Sequence, residues 1–281
     1  MLAVLERGAT SAALVLLLVL LRARPAVAQL AVDQLELVLT PVTQAAARPA
    51  SATASGPVGV FTVLNDGDAP VQATLRLEDW DRGEDGDNRF FPAGTLAGSC
   101  GDRLQIFPRS LRLDPHARQS VRVTATGDAP AACWAVVFVE TEQPRLVEGR
   151  AINYVLRTGV KVYVEPPGLA RDGVVESMRA QEVAAAGNAD SASGRHALEI
   201  ELAFRNTGGV HAVARGTVEL RRADNTVAAS VVVPDLHVLP GARRRVRLAL
   251  PVLAPGRYVA LALLDFGGAE LAAGQIDVEV R

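Results

Sequence analysis

The chain is poor in aromatic residues, which fill 4% of its 281 positions, and it holds only two cysteines, Cys100 and Cys133. A core cannot lean on large rings here and must be assembled from Val, Leu and Ala. The four histidines (His116, His196, His211 and His237) are scattered singly, and none stands at ligand spacing from a cysteine. That excludes a Cys/His metal site and a His-activated thiol. No nucleophile elbow, phosphate-cradling glycine loop, HExxH motif or dinucleotide fingerprint occurs. No catalytic residue, metal or cofactor is therefore expected. A formal net charge of −2 also lacks the basic footprint on which nucleic-acid recognition depends. Helical periodicity is nearly absent as well.

What is present begins with a processing signal. Arg7 gives a weakly basic start, Ala12–Leu21 is an apolar core short for a bilayer span, and Ala26-Val27-Ala28 is a small-x-small cleavage site. Residues 1–28 read as a signal peptide, and the mature chain starts at Gln29. An uncleaved anchor is the alternative, because Arg22 and Arg24 lie between the apolar core and the cleavage site. Cleavage removes three arginines and one glutamate, so the mature chain carries a formal −4. No later apolar run is long or uncharged enough to span a membrane. In the oxidising compartment this implies, an isolated cysteine pair reads first as one disulfide, Cys100–Cys133. Closing that loop would stabilise the fold by about 3–4 kcal/mol.

The mature chain alternates apolar and polar residues in short segments separated by Gly, Pro, Asn and Asp, the pattern of antiparallel sandwiches. Strands are expected near Gln34–Leu39, Val58–Leu64, Val71–Glu78, Leu104–Ile106, Gln119–Thr124, Cys133–Glu140 and Ile152–Val164. Asn65-Asp66-Gly67 reads as a hairpin turn. Glu165-Pro166-Pro167-Gly168 marks a boundary, since proline cannot donate to a ladder. Beyond it Val174–Val183 fits a strand or a short helix, and Ala184–Gly194 a patternless loop. Strands resume at Leu198–Arg205, Ala212–Arg221, Val227–Val233, Arg245–Leu250, Arg257–Leu264 and Gln275–Val280. The fold class is all-β: two immunoglobulin-like β-sandwich domains, 29–166 and 167–281, after the signal peptide.

Two charged clusters stand out. Glu78, Asp79, Asp81, Glu84, Asp85, Asp87 and Asn88 offer oxygen ligands, but their spacing is not that of a Ca²⁺ loop and Arg82 and Arg89 offset them. A solvated loop is the expected reading. The run Arg243-Arg244-Arg245-Val246-Arg247 is expected to be a strand with its arginines facing water.

Leu104–Arg122, with Phe107-Pro108-Arg109-Ser110-Leu111-Arg112-Leu113-Asp114-Pro115 at its centre, is followed by the Cys-Trp-led strand Cys133–Glu140. Then comes Arg150–Pro166, R-A-I-N-Y-V-L-R-T-G-V-K-V-Y-V-E-P. Together with Gly59–Gly67 and Val71–Trp80, these segments resemble the N-terminal immunoglobulin-like domain of the PapD-like periplasmic chaperones of the chaperone–usher pathway. The match runs from about Leu35 to Pro166. The second half resembles a generic immunoglobulin or fibronectin-type module.

The resemblance implies a periplasmic chaperone or accessory factor that acts without ATP and lends a strand to an incomplete sheet. Its client would be a pilin-like or other secreted subunit, with an outer-membrane usher as a further partner. Lys161 falls where the family places a lysine that anchors the client's terminal carboxylate. The alternating row Ile152, Tyr154 and Leu156 falls on the strand that is lent. The family's arginine belongs on the first strand, where Leu35–Gln44 has none; Arg48 lies in an Ala/Pro/Ser tract. The alternative from another class is a structural or adhesive immunoglobulin-like module of the cell envelope with no chaperone activity.

Overall fold

The computed structural model describes residues 30–41, 57–127, 130–147, 150–183 and 197–280. The signal peptide, Arg48 and the Ala184–Gly194 loop lie outside them. Seventeen strands and one three-residue 3-10 turn make up the regular structure of the described residues. They form four sheets in two stacked pairs, so the chain is all-β with two sandwiches.

In the first sandwich, one sheet has the order β1 (Leu30–Val32), β3 (Val58–Asn65), β8 (Arg118–Ala125), β6 (Leu104–Phe107). The other runs β2 (Glu36–Leu39), β10 (Arg150–Val164), β9 (Cys133–Val147), β4 (Val71–Arg82), β5 (Asn88–Pro92), with β7 (Ser110–Leu113) also on β4. Period-two alternation decides which side chains point inward. Phe61 and Val63 of β3, Val121 and Val123 of β8, and Val160 and Val162 of β10 are all buried in the shared core. The first expected strand, Gln34–Leu39, is β2 at Glu36–Leu39, and the β1 that precedes it lies in the other sheet. Segments β1, β5 and β7 were not among the expected strands; none shows an alternating run long enough to be recognised.

The second sandwich stacks β11 (Gly173–Val183), β12 (Ala197–Asn206) and β15 (Arg243–Ala249) on a second sheet. That sheet has the order β14 (Val227–Val238), β13 (Ala212–Arg221), β16 (Gly256–Asp265), β17 (Ala272–Val280). Its core is built on Ile200, Leu202, Phe204, Leu220, Leu236 and Leu264. The ambiguous segment near Val174 is a strand, paired antiparallel to β12 with one register shift at Val175/Ser177.

The Asn65-Asp66-Gly67 segment is not a hairpin turn. It carries the chain from β3 in one sheet to β4 in the other, and Asn65 itself is fully buried. The Asn65 amide donates to the carbonyls of Ala69 (2.8 Å), Asp114 (3.0 Å) and Leu113 (3.2 Å), while its Oδ1 accepts from the Gly67 N–H (3.1 Å). The side chain closes the corner by satisfying backbone groups that have lost a ladder partner. Asn206 repeats the device in the second sandwich, donating to Val210 O (2.8 Å) and Val238 O (3.0 Å) and accepting from Gly208 N–H (2.9 Å).

Between the sandwiches lies a third apolar cluster, Trp80, Val136, Phe138, Tyr163 and Leu239. Glu165, just past β10, is buried there. Its Oε1 accepts from the His211 backbone N–H (2.9 Å) and lies 2.6 Å from His211 Nδ1, and Arg171 approaches its other oxygen at 3.5 Å. The His211 ring stacks on Tyr163 at 3.9 Å between centroids. These contacts tie the second domain to the end of β10.

Candidate strand-pairing edge and interdomain cleft

Strand β10 is half covered. β9 pairs with it along its whole length, from Arg150↔Val147 to Val164↔Cys133 without a register shift. On the other edge β2 pairs, in parallel, only with Lys161–Val164. Among the described residues no strand occupies that edge over 150–160. The Lys161 N–H donates to Leu35 O and the Glu165 N–H to Leu39 O, both at 2.8 Å. By alternation the backbone groups of residues 151, 153, 155, 157 and 159 point the same way, towards a missing neighbour. β9 also loses its neighbour β4 beyond Glu140. Residues 141–147 and 150–156 therefore form a two-stranded ribbon that has no β4 or β2 neighbour.

The side-chain row of β10 divides at the same place. Val160, Val162 and Val164 fill the core at 0–2% exposure, whereas Ile152, Tyr154 and Leu156 of the same row are 39%, 44% and 51% exposed. Val155 on the opposite face is exposed too. An unpaired strand edge flanked by apolar side chains is a template for β-pairing with another chain. Arg157 anchors the base of the ribbon. It pairs with Glu78 and with Glu140 (2.7 Å), and its guanidinium lies 3.8 Å from the centroid of the Phe138 ring.

Lys161 lies where β10 dips into the cleft between the two sandwiches. Its Nζ is 4.7 Å from the Trp80 ring centroid and 3.9 Å from Glu36 Oε1. Burial depresses its pKa, the neighbouring Arg82 adds to that, and Glu36 opposes it. Glu36 is the residue paired in register with Lys161, and it also faces His237 Nδ1 at 3.6 Å. The expected partner arginine is absent from the first strand, and a carboxylate occupies the register position beside the lysine. Arg82 lies nearby instead, its guanidinium 5.6 Å from the same Trp80 ring.

The charged clusters are not solvated faces. The acidic loop is the turn of the β4–β5 hairpin, and it docks on β15 of the second domain. Glu84 takes Arg243 at 2.6 Å and Arg245 at 3.7 Å, Asp85 takes Arg245 at 3.2 Å, and the Arg245 backbone N–H donates to Glu84 O at 2.7 Å. Gly86 sits at φ +106°, and a Cβ there would meet the Arg244 guanidinium at 2.5–3.0 Å. Only glycine allows both that backbone conformation and the close approach. The remaining acids are also engaged: Asp81 is bound by Arg89 through two 2.7 Å bonds. Buried Asp79 accepts from the N–H groups of Thr95 (2.7 Å) and Leu96 (2.9 Å) and from the Ser99 hydroxyl. Complementary runs of opposite charge were the available signal; nothing local in the sequence says that runs so far apart meet.

Cys100 and Cys133 are both buried and stand as thiols. A hydrogen bond between them, together with burial, pushes the Cys100 thiol far up. They sit at the far end of the β9–β10 pair from the ribbon, Cys133 opposite Val164.

Taken together, these features define a two-sandwich protein that presents a strand edge beside a charged interdomain cleft. No family model matches the chain, and no curated protein matches it. Among solved structures it is similar to the class 5 fimbriae chaperone CfaA, at 10% identity and a TM-score of 0.47, over 90% of this chain and 99% of that one. It is also similar to the E. coli chaperone DraB (17%, TM-score 0.40, 90% and 99%). A third is a chain of the CsuC–CsuE chaperone–tip adhesion subunit complex of Acinetobacter baumannii (10%, TM-score 0.45, 88% and 98%).

Proposed function

We propose that this chain is an exported, ATP-independent chaperone or assembly factor that lends β10 to a protein whose own sheet is incomplete. The observation that carries the reading is the unpaired edge of β10 over 150–160 with Ile152, Tyr154 and Leu156 exposed beside it. A strand added there gains main-chain hydrogen bonds, and those three side chains enter the partner's open core. Lys161, where the free edge meets the cleft, supplies a charged contact to the partner's end as a point charge. The client is a pilin-like or other secreted subunit, the compartment is the periplasm, and an outer-membrane usher is the downstream partner. In that compartment Cys100 and Cys133 close as one disulfide, which mass measurement of alkylated protein with and without reductant checks.

The test is co-purification of periplasmic partners with the tagged mature chain. Replacing Ile152, Tyr154 and Leu156 together by Asp removes capture while the thermal midpoint stays within a few degrees. Unchanged capture by the triple variant would favour the envelope-module alternative.

A further inference from the structure

The strands that end the four sheets are blunted in ways that suppress stray pairing, with one exception. In the first sandwich β1, β2, β5, β6 and β7 are only three to five residues long. In the second, β11 carries Glu176, Arg179 and Glu182, and β15 is lined with arginines, its Arg245 N–H already taken by Glu84 O at 2.7 Å. β17 is packed against β11, where a Cβ at Gly274 would meet Val175 at 2.5 Å and Met178 at 3.0 Å. The exception is β14. Its residues Val227–Val233 read V-A-A-S-V-V-V, without a charge or a proline. Among the described residues β13 is its one strand partner. β15 approaches at the far end of β14, where Pro234, Asp235 and Leu236 share a cavity with Arg244–Arg247. Unlike β10, an inner strand whose neighbour stops short, β14 is open because it ends its sheet. An uncharged run of β-branched and small residues on such an edge is a ready template for another strand.

We infer that β14 pairs with β14 of a second copy of this chain, antiparallel about a twofold axis at Val231, so that the two four-stranded sheets become one continuous sheet. Between its two register shifts β14 is regular, from Gly216↔Val233 to Leu220↔Ala229. Centred there, Ala229 of one copy stands opposite Val233 of the other, Ser230 opposite Val232, and Val231 opposite itself. The faces agree. Ala229, Val231 and Val233 belong to the core side, whereas Ser230 and Val232 face solvent, Val232 at 73% exposure. A twofold pairing needs a segment that suits itself, and here a small residue meets a larger one and no like charges come face to face. That self-complementarity is what favours a second copy over a foreign strand. β14 reaches the interdomain cleft at its other end, where His237 faces Glu36. The pairing segment lies four or more residues from that point, roughly 13 Å along the strand. The dimer therefore leaves the open edge of β10 free in both copies, and the inference does not depend on the strand-lending reading. The paired segment is short, so the dimer is weak and concentration-dependent.

The experiment is sedimentation equilibrium of the mature chain over about a hundredfold range of concentration. The wild type is expected to pass from monomer to dimer as concentration rises. Ser230→Lys with Val232→Lys sets lysine opposite lysine twice and should weaken the dimer at least tenfold. Ser230→Lys with Val232→Glu sets lysine opposite glutamate twice and should stay within about threefold of the wild type. At the dilute end both double variants should melt with the wild type, since both positions face solvent. A dimer that the double-lysine variant retains overturns the proposal, and so does equal loss in both double variants, because the register then fails. Replacing Ile152, Tyr154 and Leu156 together by Asp should leave the dimer intact; its loss there would mean that copies meet through β10 instead. A wild type that stays monomeric throughout also overturns the proposal. If that monomer co-purifies with a protein that the double-lysine variant loses, the edge of β14 belongs to a foreign strand.

Discussion

The two sandwiches close their corners in the same way and treat their central strands differently. Asn65 and Asn206 are buried at equivalent corners, each folding a sheet-to-sheet connection onto its own amide. But β13 of the second sandwich is covered by β14 along its whole length and by β16 from Arg215 to Arg221, whereas β10 of the first is left with one edge open over most of its length. A sheet edge left open is a hazard that folded proteins usually blunt. Here the first domain keeps the hazard and the second domain is docked next to it. The comparison teaches that the fold has been specialised in one module only, and that the other contributes rigidity and charge.

The largest effect expected from breaking this comparison is at the shared corners. Asn65→Ala leaves three carbonyls and one N–H without their partner, and Asn206→Ala leaves two and one; each should cost about 3 kcal/mol or more. Calorimetry should show Asn65→Ala lowering the transition of the first domain and Asn206→Ala that of the second. A next step sharpens the contrast within β10 itself. Val162→Ala, in the core half of the row, should cost about 2 kcal/mol. Leu156→Ala, in the projecting half, should fall within about 0.5 kcal/mol of wild type while weakening partner capture. Denaturant melts of both variants measure it.

Acid should loosen the junction before it unfolds either sandwich. Burial by itself would raise the Glu165 carboxyl, but the hydrogen bonds and charge of His211, with Arg171 behind them, hold it below its ordinary value. A carboxyl depressed in the folded state contributes stability above its unfolded pKa and loses it as pH falls through the folded one. The contribution is therefore whole above about pH 5 and fades below about 4.5. Small-angle scattering or interdomain distance labels should show separation in that acid range, and Glu165→Gln should show it already at neutral pH. The smallest effect belongs to Glu84→Gln. Its ion pairs to Arg243 and Arg245 are partly exposed, so the loss should stay below about 1 kcal/mol and vanish in high salt.

Much of the fold was legible because a sandwich strand must alternate, and thirteen segments do so visibly. β1, β5 and β7 were not, since Leu30–Val32 is three residues long, Asn88–Pro92 carries no buried residue and Ser110–Leu113 is four residues long. The length of β9 was also hidden: beyond Glu140 it has no β4 partner, and it includes Pro144, a residue that argues against a strand. For the site, the row Ile152, Tyr154 and Leu156 could be read from period two, but the point where it leaves the core could not. That depends on where β2 stops pairing. The carboxylate beside Lys161 and the arginines that flank the cleft depend on register and domain docking, which link residues far apart in sequence.

The end of β2 is also a ruler. The open edge of β10 begins at Arg150 and stops where Leu35 receives the Lys161 N–H. Eleven residues, 150–160, lie between those limits, a rail of roughly 35 Å at the usual rise per residue. A visiting strand cannot slide beyond that stop without displacing β2. Its reach is metered by the host, and a partner strand much longer than the rail must turn away at the domain junction, beside Arg82 and Lys161.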